Sequence, residues 1–180
     1  GYDFSDSHQK QIDEGRMEML CYDGNDYDRS RGKGYGEAAI MEYGITHSRL
    51  LSTTPHLQIV KITGRLLCLN INDLCRSCKD VNTVYANISK DDWDGNIATS
   101  QVVMAPVSFF KELFLPRREE INDSKCRHFE HVLYDSIQDW TKKTDTIACF
   151  GHRQQWKVLV ARLERRLAPP CLQLSCCVTA

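Results

Sequence analysis

A mixed domain, α+β or α/β, is predicted by three patterns in the sequence: a period-two apolar run after Pro55, a helical apolar stripe between residues 126 and 140, and a strand-glycine-helix unit from Thr146 onward. Together they predict a mainly antiparallel four-stranded sheet covered by three helices, with that last unit added to it. The same strands closed into a small barrel are the alternative architecture.

Gly1 to Gly36 holds eight acids, five Lys or Arg residues and six glycines with few large aliphatics, a composition that predicts a mobile polar segment with one helical turn near Ile12 to Leu20. From Glu37 to Leu51, Ile40, Met41, Ile45 and Leu50 return to helical spacing, so the folded unit is placed at residues 37–168. In the first strand Leu57, Ile59, Lys61 and Thr63 lie on one face and Val60 and Ile62 on the other. Leu67, Leu69 and Ile71 predict a second strand, Val84, Ala86 and Ile88 a third, and Ile97 to Ala105 a fourth, which gives a meander with Asp91 to Asn96 as its last turn.

Pro106 is placed to open a short helix from Val107 to Leu115, and Pro116 to stop it. Asn122 or Asp123 is the expected N-cap of a helix over 123–143 whose buried stripe is Cys126, Phe129, Leu133, Ile137 and Trp140. A strand from Thr146 to Phe150, then Gly151 and a helix over 152–167, complete the fold, and residues 169–180 form a cysteine-rich tail after Pro169 and Pro170.

Charge and length exclude some functions. The formal net charge is -1, which gives no overall basic field for nucleic acid, and the predicted strands carry too few aromatic and basic side chains for a single-strand platform. The longest stretch without an ionisable side chain, Gly95 to Phe110, is shorter than the roughly 20 residues of a membrane-spanning helix. Nine cysteines, an odd number, point to reduced thiols and a cytoplasmic setting, with a secreted disulfide-linked domain as the alternative.

The remaining constellations are incomplete. Cys75-Arg76-Ser77-Cys78 has the spacing for one metal or one disulfide, but a structural zinc needs two more ligands, and helical geometry turns His128 and His131 away from Cys126. Cys75 and Cys78 are therefore expected as loop thiols and no metal is assigned. Asp26, Asp28, Ser30 and Glu37 are spaced like a calcium loop, yet Arg31 stands where that loop needs glycine. Asp92-Trp93-Asp94 is expected to be an ordinary polar turn rather than a metal site. Gly32-Lys33-Gly34-Tyr35-Gly36 comes nearest a phosphate-binding glycine motif, but without an apolar strand before it the segment is expected to be linker.

Two sites carry functional expectations, and neither implies a cofactor. At the strand-to-helix junction, Gly151 and Arg153 would bind an anion at the helix N-terminus, with Cys149 as nucleophile and His152 as its base. At the end of the sequence, Cys177-Val178-Thr179-Ala180 fits a prenylation pattern, with Cys176 as a second lipid site and peripheral membrane contact as the result. The expected function is a small binding or adaptor domain, lipid-anchored, whose partner is another protein or a small anionic ligand. A cysteine-dependent enzyme acting on a phosphate-bearing ligand is the alternative.

Overall fold

The structure is a computed structural model that describes residues 6–24, 26–53, 56–63, 67–68, 70–78, 80–91, 95–145 and 158–159. At its centre two strands, β1 (Gln58–Ile62) and β5 (Val102–Pro106), pair antiparallel with Val60 opposite Met104. Every residue of β5 is buried, so both faces of this ladder need cover. Alternation divides them: Ile59, Val103 and Ala105 enter the larger core, while Val60, Val102 and Met104 enter a smaller one.

The larger core is built by helices. α2 (Lys33–His47) contributes Ala38, Met41 and Ile45, and α3 (Arg49–Ser52) contributes Leu51. α6 (Phe129–Thr144) contributes Phe129, Val132, Leu133, Ile137 and Trp140 at the 3-and-4 spacing of one helical face. Trp140 also satisfies its ring N–H, donating 2.9 Å to the carbonyl of Asn82. From α5 (Val107–Phe109) the chain widens into a π turn over Phe110–Phe114 and tightens into a 3₁₀ stretch over Leu115–Glu120. Phe109, Phe110 and Phe114 are thereby all buried, with Phe114 tilted against Phe129 at 4.8 Å between ring centroids.

The smaller core lies under α4 (Ile71–Ser77), which faces Val60, Val102 and Met104 with Ile71, Cys75 and the following Cys78. A hairpin of β3 (Ile88–Asp91) and β4 (Gly95–Ala98) packs against α6. Tyr85 joins it to the centre by exchanging two backbone hydrogen bonds with Met104, at 2.7 and 2.9 Å. Before α2 lie α1 (Asp6–Asp13) and Glu18, whose carboxylate accepts from the Ser48 hydroxyl and the Arg49 N–H at the start of α3.

Several expectations need correction. The described strands form two-stranded ladders rather than a four-stranded meander, and β1 pairs with the last of the four. The second predicted strand shrinks to β2 (Leu67–Cys68), because Ile71, Leu74, Cys75 and Cys78 share one helical face and the chain turns helical at Ile71. The run from Ile97 to Ala105 is broken at Ser100, so its halves enter different ladders.

Pro116 does not stop the helix. It lies in the first turn of the 3₁₀ stretch, where its missing N–H costs nothing. α2 begins at Lys33, four residues early, and it is Leu51 rather than Leu50 that is buried. Finally, β6 (Val158–Leu159) pairs antiparallel with β2 inside the segment expected to be helical.

Phe114 fixes the packing of the π turn on α6. Phe114→Ala is expected to cost about 3–5 kcal/mol in urea denaturation. A loss below about 1 kcal/mol would place the ring outside the core.

Candidate functional site

Polar groups gather along the seam where α2 meets the start of α6. At its outer end Gly32 precedes α2 with φ at 88°, and no side chain caps the helix there. The Asp123 carboxylate occupies the space a Cβ on Gly32 would fill, so a side chain at that position would be strained at this φ and would displace the carboxylate. Gly34 brings the two helices together: a Cβ on it would lie 2.8 Å from the Phe129 Cβ and 3.3 Å from the Phe129 backbone N. Two helix N-termini thus converge, and Asp123 places one negative charge beside them.

α6 is capped in an unusual way. His128 is its N-cap, and its N–H donates 3.1 Å to Nδ1 of His131 in the first turn. Nδ1 therefore accepts and the proton of a neutral His131 ring is on Nε2. His131 is 6% exposed and its Nε2 has no partner among the described residues. His128 stacks on it at 5.4 Å and places Nδ1 3.1 Å from Asp123 Oδ1.

Deeper in the seam lies Lys61, 4% exposed on the inward face of β1. Its ammonium pairs with Glu37 of α2, donates to the Ser100 carbonyl and donates 2.9 Å to the Thr63 hydroxyl, so three donors meet three acceptors. The Ser100 hydroxyl continues the chain to Glu130 of α6 at 2.6 Å, and the ammonium lies 5.3 Å from the centre of the Phe129 ring. Burial pushes the Lys61 amine below the usual lysine range, against the opposing pull of Glu37 and Glu130.

The rim is an ion-pair network. Arg31 binds the Glu119 carboxylate and the Ile121 carbonyl, while Arg118 reaches Glu42 of α2. Both guanidinium groups lie over Tyr35, at 4.1 and 5.3 Å from its ring centre. The Tyr35 hydroxyl donates 2.8 Å to Glu119, and this bond, with Arg31 behind it, lowers the Glu119 carboxyl to about 2.

The sequence-derived sites fare unevenly. Cys149, Gly151, His152, Arg153, Cys176 and Cys177 lie outside the described residues. Cys126 is exposed in a left-handed turn instead of buried in α6, and His131 is buried instead of solvated, because the helix starts at Phe129. Cys75 and Cys78 are on α4 and at its C-cap rather than in a loop. The glycines expected as linker open α2.

No group of three His, Cys, Asp or Glu residues fit to hold a metal occurs among the described residues, Asp26, Asp28 and Glu37 included. Asp28 instead accepts from the Ser30 N–H. One signal for the seam was present in the sequence: Lys61 stands in phase with Ile59 on the face of β1 that had to be buried. No family, curated protein or solved structure matches this chain.

Two predictions test the seam's energetics. Glu37→Leu leaves the Lys61 charge buried without its counter-ion and is expected to cost about 3–5 kcal/mol in urea denaturation, most of it recovered by the double change with Lys61→Met. A double variant no more stable than Glu37→Leu alone would refute the pairing.

For Glu119 the folded value of about 2 lies below the ordinary 4.5, so its contribution is present above pH 4.5 and is lost as pH falls toward 2. Glu119→Gln should therefore flatten the acid limb of the stability-pH curve. A limb unchanged in slope would remove Glu119 as a contributor.

Proposed function

We propose that this chain is a small binding domain that takes an anionic group, a phosphate or a carboxylate, at the outer end of the α2-α6 seam. The observation that carries this reading is the convergence of two helix N-termini at Gly32, Gly34 and Phe129. Backbone N–H groups of a helix's first turn lack partners inside the helix and attract negative charge.

Three further features support it. The N-cap of α2 is Gly32, which has no side chain to bond the first N–H groups of the helix. His128 stands half-exposed at the rim, where it can add a donor. The Nε2 of His131, without a partner among the described residues, lies in the first turn of α6, a buried donor that an added acceptor would satisfy.

Asp123 acts in this reading as a built-in anion that holds the place. Its carboxylate contacts Gly32 and His128, and an incoming anion competes with it. Chemistry on the ligand is not part of the proposal. The buried Lys61 has all three of its donors engaged below the seam, which leaves it positioned to hold the fold rather than to attack a substrate.

Titration with inorganic phosphate and with pyrophosphate at constant ionic strength tests the reading, followed by calorimetry and by melting temperature. The expected result is saturable binding with a rise in melting temperature, several-fold tighter in Asp123→Asn and weaker in His128→Ala. Heats and melting temperatures identical to a chloride control, in the parent and in Asp123→Asn alike, would overturn it.

A further inference from the structure

α4 ends between two cysteines. Cys75 lies in its last turn and Cys78 is its C-cap, with the Cys78 N–H still donating 3.0 Å to the Leu74 carbonyl. Both side chains pack into the smaller core beneath β1 and β5, Cys78 buried and Cys75 half-buried. We propose that Cys75 and Cys78 are a redox modification site that closes to an intramolecular disulfide on exchange with a small-molecule disulfide.

Geometry permits the bond. Residues three apart on a helix have Cα atoms about 5 Å apart, inside the 4.4–6.8 Å range of disulfides. Helical Cβ atoms at that spacing are about 5–6 Å apart, against roughly 3.5–4.5 Å in a disulfide, so a pair in mid-helix resists closure. Here the second cysteine is where the helix stops. Cys78 has φ -92° and ψ 81°, outside the helical region, and adjusting it breaks no further turn of α4. The shared apolar cluster supplies the second condition, since Cys75 and Cys78 face the same wall of Val60, Val102 and Met104.

Exposure sets the order of events. The half-buried Cys75 is the sulfur that an outside reagent reaches, and the buried Cys78 resolves. The Cys75 thiolate attacks one sulfur of glutathione disulfide, which forms a protein-glutathione mixed disulfide and releases one glutathione thiolate. Cys78, having lost its proton to solvent, then attacks the Cys75 sulfur and displaces the second glutathione. Two protein thiols are oxidised by two electrons, one glutathione disulfide is reduced to two thiols, and the protons from Cys75 and Cys78 end on the released glutathione. Cys21 and Cys126, both exposed and far apart in sequence from this pair, stop at the mixed-disulfide stage in the same buffer.

The full chain, first reduced, is equilibrated in a series of glutathione buffers from reducing to oxidising, quenched by alkylation and cut with trypsin without reductant. Trypsin cleaves after Arg76, between the two cysteines, so their bond survives as residues 66–76 joined to residues 77–79. That linked species is expected to rise at a less oxidising ratio than glutathione adducts on Cys21 or Cys126, and to disappear when reductant is restored.

The longer peptide also contains Cys68, so the link must vanish in Cys75→Ser and persist in Cys68→Ser. Fragmentation of the linked peptide from the unaltered protein assigns the sulfur independently, should either variant fail to fold. A link that survives Cys75→Ser, a fragment spectrum that places it on Cys68, or Cys75 recovered only as thiol or glutathione adduct at the most oxidising ratio would overturn the proposal. Anion binding at the α2-α6 seam is a separate measurement, and neither result decides the other.

Discussion

The constraint on which the structure depends is the burial of β5. Val102 to Pro106 has no exposed residue, and a strand buried on both faces must be covered twice. On one side α2, the helical run from Val107 and α6 supply the large aromatic and aliphatic core; on the other, α4 supplies a small one. Its edges are also used, β1 along one and, at the other, Tyr85, which exchanges both backbone hydrogen bonds with Met104. The chain before and after it is arranged to meet these demands.

One consequence is that a charged residue enters the interior. Lys61 alternates with Ile59 on the side of β1 that β5 draws into the core, and a charge there is tolerated only when its hydrogen bonds are all made. Glu37, Thr63 and the Ser100 carbonyl meet that requirement from three separate segments. The same bend at Ser100 that separates β4 from β5 therefore provides an acceptor, and its hydroxyl ties the bend to Glu130. Packing and polar satisfaction are thus solved by one local change of direction.

The seam above this cluster has a different origin. Phe129 must reach the aromatic core, which brings the first turn of α6 against Gly34 and leaves two helix N-termini side by side. Like ends of two helix dipoles repel, and Asp123 together with the His131 cap reduces that cost. The rim of Arg31, Arg118, Tyr35 and Glu119 closes the outside of the same junction. The geometry on which the proposed anion site rests is thus a by-product of packing that first serves the core.

Much of this fold was legible in local pattern. Period-two alternation located β1 and the faces of its side chains, and 3.6-residue periodicity identified Phe129, Leu133, Ile137 and Trp140 as a buried stripe. These signals are local because each depends only on how one segment presents its own side chains. Boundaries were less legible: α6 begins at Phe129 because Cys126 takes a left-handed turn, and the helical run passes Pro116 because a first-turn proline has no N–H to miss.

Which strands pair, which glycine meets which helix, and which acid neutralises Lys61 are contacts between residues tens of positions apart. No single segment encodes them, and they follow from how the segments pack. Local pattern therefore sufficed for a mixed helix-and-strand fold, most of its core and the inward phase of Lys61, whereas the two-stranded ladders, the acid that pairs with Lys61 and the junction at Gly34 arise only where distant segments meet.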